Sequence, residues 1–160
     1  MEQRPKRKPA DLVGYCGLYC GDCPGYSGRI ADLARDLRKE LRAVEFDRTA
    51  AAFAKIPFFA AYRKYPDCYE VLGAMVRMRC PRTCRGGGAN PSCRPRACAQ
   101  RKGLTGCWEC GEFETCARLS FLEGVHGDAH KRNLRTLKKK GPAAFARGKR
   151  YWYSAPPGSR

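Results

Sequence analysis

The segment CGLYCGDCPGY, Cys16 to Tyr26, places three thiols at spacings of four and three. Three chemistries use thiols at such density: a metal site, a disulfide pair and a reactive nucleophile. A second region, from Cys80 to Cys116, holds Cys80, Cys84, Cys93, Cys98, Cys107, Cys110 and Cys116. With Cys68 the total is 11, an odd number that disulfides alone cannot pair. Zinc takes four ligands in a tetrahedron, and a C-x-x-C pair spans two corners because a tight turn carries both sulfurs to one ion. Cys20/Cys23 and Cys107/Cys110 have that spacing, and the pairs Cys80/Cys84 and Cys93/Cys98 add to it. Gly17, Gly21 and Gly111 sit beside these cysteines, where glycine lets backbone amides turn toward a sulfur. Leaving Cys68 aside, the candidate metal ligands are Cys16, Cys20, Cys23, Cys80, Cys84, Cys93, Cys98, Cys107, Cys110 and Cys116. Two structural zinc ions would use eight of them. Three would need twelve donors, which His126 and His130 could complete. Spacing alone does not assign the pairing.

An iron–sulfur cluster is the chief rival to zinc, because it too needs only cysteines. The spacing Cys16-x-x-x-Cys20-x-x-Cys23 is the one that radical S-adenosylmethionine enzymes use. Those enzymes are built on a barrel, and a complete barrel needs about 200 residues or more. This chain has 160, so radical chemistry is rejected. Support for other catalysis is thin: no cysteine stands beside an evident histidine base and orienting acid, and Glu109, Glu112 and Glu114 read as surface groups. His126 and His130 are four apart on a predicted helix, a spacing that suits a metal pair. The alternative reading places them facing solvent near the helix start.

Lys and Arg number 32 against 15 Asp and Glu, a formal net charge of +17. The excess is segregated. Between Glu70 and Glu109 there are eight basic residues and no acid, and after Asp128 ten more and again no acid. Such a field draws polyanions, nucleic acid first and anionic membrane surface second. Arg82, Arg85, Arg94 and Arg96 surround the Gly86–Gly88 loop, and Lys138, Lys139 and Lys140 end a predicted helix. These seven are the candidate nucleic-acid contacts, with Tyr151, Trp152 and Tyr153 as stacking surfaces, and RNA is favoured over DNA. A protein partner is the alternative. No apolar run approaches the ~20 residues that span a bilayer. The basic N-terminus has no apolar stretch behind it, so the chain reads as cytoplasmic, where clustered thiols stay reduced and bind metal.

The elements that must hold these groups read as mainly α: a small helical domain with cysteine-rich, metal-stapled loops and little or no sheet. Residues 1–11 form a basic flexible arm, 12–146 a single cysteine-rich metal-binding domain, and 147–160 a frayed basic and aromatic tail. A helix capped by Ser27 buries Ile30, Leu33, Leu37, Leu41 and Val44 at helical spacing. Residues 47–79 are further helix broken at Pro57 and Pro66, with Asp67 as a cap. Phe53, Phe58, Phe59, Tyr62 and Tyr65 form a core, and Cys68 acts as a small buried hydrophobe. A short helix lies near Ala97–Lys102, and Phe113–Val125 is helical. Residues 128–140 form a helix with Leu134 and Leu137 inward, stopped by Gly141 and Pro142. A last short helix carries Phe145.

The motif order resembles a known family. Cys16, Gly17, Cys20, Gly21, Cys23, Pro24 and Tyr26 follow its opening CG-x-x-CG-x-CP-x-Y, and Cys93, Cys98, Cys107, Cys110, Phe113 and Cys116 follow its later cysteines. Asn133, Leu134 and Gly141 extend the likeness, which spans Leu12 to Phe145. The family is the bacterial and archaeal one named domain of unknown function 3795. The resemblance implies zinc binding and no particular reaction. The chain departs from the family at Cys80-x-x-x-Cys84, where C-x-x-C is more usual, and in its basic arm and tail.

Overall fold

The computed structural model describes residues 7–154; residues 1–6 of the basic arm and 155–160 of the tail lie outside the described residues. The helices are α1 (Pro24–Ser27), α2 (Arg29–Ala43), α3 (Phe46–Phe53), α4 (Tyr65–Arg77), α5 (Arg94–Arg101), α6 (Glu123–His126) and α7 (Ala129–Arg147). Short 3₁₀ turns join them. Among the described residues there is no sheet, only an isolated antiparallel bridge between Val13 and Tyr19. The mainly-α class predicted from sequence is what forms. The chain divides into two compact units: Ser27–Cys80, and the residues up to Tyr26 together with those from Pro81 onward.

In the Ser27–Cys80 unit, α2 packs on α4, and the buried positions of α2 are Ala31 and Ala34. A Cβ on Gly73 of α4 would lie 2.9 Å from Arg38 Nη1, so α4 comes close enough for that guanidinium to lie against it. Arg38 donates to the Tyr69 carbonyl and lies 3.9 Å over the Tyr69 ring. Arg79 pairs with Asp32. The large apolar residues are therefore not the inward face. Ile30, Leu33, Leu37 and Val44 are 45–66 % exposed, because small side chains allow a closer helix approach than the leucine stripe does. The helix start also differs. Gly28, at φ +75°, precedes α2, and no side chain caps it.

Pro57 opens a 3₁₀ segment, Pro57–Lys64, and Pro66 sits in the first turn of α4, where its missing N–H costs nothing. Asp67 lies in that first turn rather than at the cap, favourably placed for the helix dipole. Phe46, Phe53, Phe59, Tyr62 and Tyr65 form a ring cluster, with Phe53 stacked on Phe59 at 4.8 Å. Phe58 makes only an edge contact and is 88 % exposed. Cys68 is exposed too, so it is not the buried hydrophobe expected.

The other unit has the larger core: Val13, Tyr19, Trp108, Phe113, Leu119, Leu122, Leu134, Leu137, Phe145 and Ala146. Leu134 and Leu137 point inward as predicted. Gly141 takes φ +73° and breaks α7 ahead of Pro142, and the chain beyond it buries Phe145. The turn Pro9–Leu12, which takes in the end of the basic arm, packs against α7. Residues 113–125 are not one helix. They run as 3₁₀ turns at Phe113–Thr115 and Ser120–Leu122 before α6.

The tail is not frayed as far as Ser154. The Asn133 carboxamide donates to the Tyr151 carbonyl at 2.7 Å and accepts from its N–H at 3.0 Å. Ser154 N–H donates to the His126 carbonyl at 3.1 Å. Arg150 grips Asp22 through two bonds, at 2.9 and 3.1 Å, and lies 4.4 Å over Tyr19. Tyr151 is half-buried, with Arg132 3.8 Å over its ring, and Trp152 is half-buried against His126. Of the three tail aromatics only Tyr153 is exposed.

Candidate metal centre and basic surface

The two C-x-x-C motifs fold into tight turns. Cys23 N–H donates to the Cys20 carbonyl at 3.1 Å, and Cys110 N–H to the Cys107 carbonyl at 3.1 Å. Cys107 N–H is pinned to the Tyr15 carbonyl at 2.8 Å. Any Cβ on Gly106 would strike the Trp108 ring at 2.0 Å, so this turn requires glycine.

Cys98, Cys107, Cys110 and Cys116 line one cavity of about 30 Å³ together with apolar Pro95, Phe113 and Leu119 and the basic side chains of Lys102 and Arg118. One water-sized sphere needs about 10–15 Å³, so a single ion fits there. Burial pushes the Cys107 thiol up to about 12, and the neighbouring thiols of Cys116, Cys98, Cys110 and Cys93 push the same way.

A second group forms where the first cysteine loop meets the Gly-rich loop. Cys84 N–H donates to Cys20 Sγ at 3.4 Å. Backbone groups of Leu18 and Tyr15 hydrogen-bond the Cys16 and Cys84 thiols. Cys84 Sγ lies 3.6 Å from where a Gly14 Cβ would be. Burial pushes both Cys16 and Cys84 up; Cys93 stands close enough to each to push further, and Cys84 and Cys107 add to the push on Cys16. Gly17, at φ +86°, lies so near α7 that a Cβ would meet Leu134 Cγ at 2.9 Å and the His130 carbonyl at 3.0 Å.

Among the described residues, no three His, Cys, Asp or Glu side chains are drawn together tightly enough to hold a metal ion as they stand. What converges is backbone: rotation about the single χ1 of each cysteine moves its sulfur without moving the chain. The soft, four-sulfur donor set around a small cavity fits zinc.

The histidines lie inside rather than facing solvent. His126 Nδ1 is 2.7 Å from the Trp152 carbonyl oxygen. His130 is 0 % exposed, and neither ring nitrogen has a hydrogen-bond partner of good geometry. Burial, with Lys131 beside it, holds its pKa below the ordinary histidine value.

The seven basic candidates separate into two kinds. Arg96 is only 7 % exposed. Its Nη1 donates to the carbonyls of Cys84 and Gly88 at 3.1 and 2.9 Å, and its Nη2 to those of Asn90 and Pro91, both at 2.9 Å. All four terminal hydrogens are engaged, so this arginine builds the loop and does not face a phosphate. Arg85 also turns inward, to the carbonyls of Val13 at 2.9 Å and Thr105 at 2.8 Å. Arg82, Arg94, Lys138, Lys139 and Lys140 are exposed. Where α7 kinks, Arg135, Lys139, Lys140 and Lys149 line a groove of about 240 Å³. The internal roles of Arg96, Asn133 and Asp22 were not read from the sequence. Their partners are distant in the chain or are backbone carbonyls, which carry no residue signature.

Fold and site together define a small, mainly-α, cysteine-rich protein with nine of its 11 thiols in one unit. The model of the family described as "Protein of unknown function (DUF3795)" matches residues 12–121, and the chain belongs to that family. No curated protein and no solved structure matches it. No helix among the described residues is long and apolar enough to cross a membrane.

Proposed function

We propose that this chain is a zinc-stapled binding module of a reducing compartment such as the cytoplasm, contacting nucleic acid and RNA in preference to DNA. The observation that carries the reading is the set of four thiols around one ion-sized cavity. Closed all-cysteine sites are structural, because a catalytic zinc keeps one position open. The partner follows from charge: α7 carries Lys138, Lys139 and Lys140 into solvent, and the groove beside them is also lined by Lys149 and by Arg135, which is paired with Glu114. A phosphate backbone matches that face, and binding would be steeply salt-dependent through counterion release.

Protein purified without oxygen tests the chemistry. About two zinc ions per chain in a colourless protein support it; a brown, iron-containing protein replaces it with the iron–sulfur reading. Titration with single-stranded RNA near physiological salt tests the partner. The slope of log K against log salt is about −0.7 per phosphate contact on single strands. Replacing Lys138, Lys139 and Lys140 with Gln flattens that slope and leaves metal content unchanged. Failure of both RNA and DNA to bind would favour a protein-interaction module, a reading supported by the exposed Ile30, Leu33 and Leu37.

A further inference from the structure

We propose that eight of the clustered thiols form two neighbouring four-sulfur zinc sites, Cys98, Cys107, Cys110 and Cys116 in one and Cys16, Cys20, Cys84 and Cys93 in the other, with Cys23 outside both. The proposal rests on the zinc reading and supplies the pairing that spacing leaves open. The first set is defined by the cavity its four residues share. It is local, drawn from α5 and the two turns that follow it.

The second set is defined by contacts that cross the chain. The Cys84 amide holds the Cys20 sulfur, and the two residues are 64 apart in sequence. Tyr15 and Leu18, on either side of Cys16, turn backbone groups onto the Cys84 and Cys16 sulfurs. Backbone amides aimed at sulfur are the usual outer shell of a thiolate metal site. Cys93 immediately precedes α5, whose Arg96 grips the carbonyl of Cys84, and this fixes Cys93 relative to the loop. None of these contacts among the described residues involves the Cys23 sulfur. The turn that Cys23 closes leads directly into α1, which begins at Pro24. C-x-x-C spacing would put Cys23 on the metal with Cys20, so the pairing departs from the motif.

The two sites then do different work. The first staples a continuous segment. The second clips the chain's first cysteine loop to residues far along it, and closing a long loop constrains the unfolded chain more than closing a short one. Losing the second should loosen the whole unit, and losing the first only the region around α5.

The test uses the full chain, purified without oxygen and loaded with zinc. Cys110→Ser and Cys20→Ser should each retain one of two zinc ions, whereas Cys23→Ser should retain both. Loss of one zinc from Cys23→Ser, or of both from a folded Cys110→Ser, overturns the partition while leaving the zinc reading intact. Wild-type chain that retains no zinc overturns the zinc reading itself. Because a ligand variant can fail to fold, alkylation of the wild-type zinc-loaded chain, mapped by mass spectrometry, provides a second readout. Cys23 and Cys68 should react first and the eight ligand thiols only on addition of chelator. Protection of Cys23 together with reaction of Cys84 or Cys93 overturns the pairing.

Discussion

Replacing Arg96 with Met isolates what one buried guanidinium does. The side chain is 7 % exposed and its four terminal hydrogens reach four carbonyls at 2.9–3.1 Å. Methionine roughly keeps the aliphatic stem and removes every donor. A hydrogen bond from a charged group contributes about 1.5–3 kcal/mol, and carbonyls left buried lose their solvation as well. Asn90 and Pro91 are exposed and can rehydrate, whereas Gly88 is buried and Cys84 half-buried. The net loss is therefore about 3–5 kcal/mol, a large part of a typical domain's stability. With zinc in excess the melting temperature should fall on the order of 10 °C. Hydrogen exchange should quicken first at Cys84–Pro91. Arg96→Lys should rescue little, because an ammonium is a point donor that cannot span four carbonyls as a planar fork does. If Arg96→Lys melts like wild type, or Arg96→Met loses less than about 1 kcal/mol, the loop does not depend on these bonds. If either variant keeps full stability but weakens RNA binding, Arg96 is a phosphate contact and this assignment fails.

Cys110→Ser should cost far more stability than Cys68→Ser, since Cys68 is exposed and such surface changes usually stay within about 0.5 kcal/mol; melting curves of the two variants decide, and equal losses would make Cys68 a ligand. Gly17→Ala should destabilise by about 1–3 kcal/mol, from the positive φ and from contact with Leu134 and the His130 carbonyl, as denaturation of the zinc-loaded protein would show. His130 gives the unit an acid sensitivity. Its folded pKa lies below the ordinary 6.5, held down by burial, Lys131 and His126 against the opposing Glu123 carboxylate and Gly127 backbone. The unfolded chain therefore takes up the proton first. Stability is full above about pH 6.5 and falls as pH drops through that value toward the folded one. Wild type should lose more stability than His130→Gln between pH 7 and 5, and parallel curves would show that His130 titrates normally.

The helical class is legible in the amino-acid sequence, because long periodic segments such as residues 128–140 carry their own signal. So is the tight-turn geometry of Cys107/Cys110, since two thiols three apart fold around one turn wherever they sit. The Leu134 and Leu137 face is equally readable. The α2 face is not: periodicity reports that a leucine stripe exists, not which face a neighbouring helix will prefer. Here α4 prefers the alanines, with Arg38 bridging to Tyr69.

Charge counting alone could not separate Arg94, which stays at the surface, from Arg96, which is walled in by four carbonyls. The two differ only in which way α5 turns them. The tail shows the same limit, for its hold depends on Asn133 and Asp22, which are remote in sequence. By itself the sequence determined the inventory of thiols, the excess of positive charge and the local turns and helices, all set by neighbours a few residues away. Which thiols share a cavity, which arginines face inward and where the tail lies were decided by tertiary structure, because each depends on groups brought together only when distant segments pack.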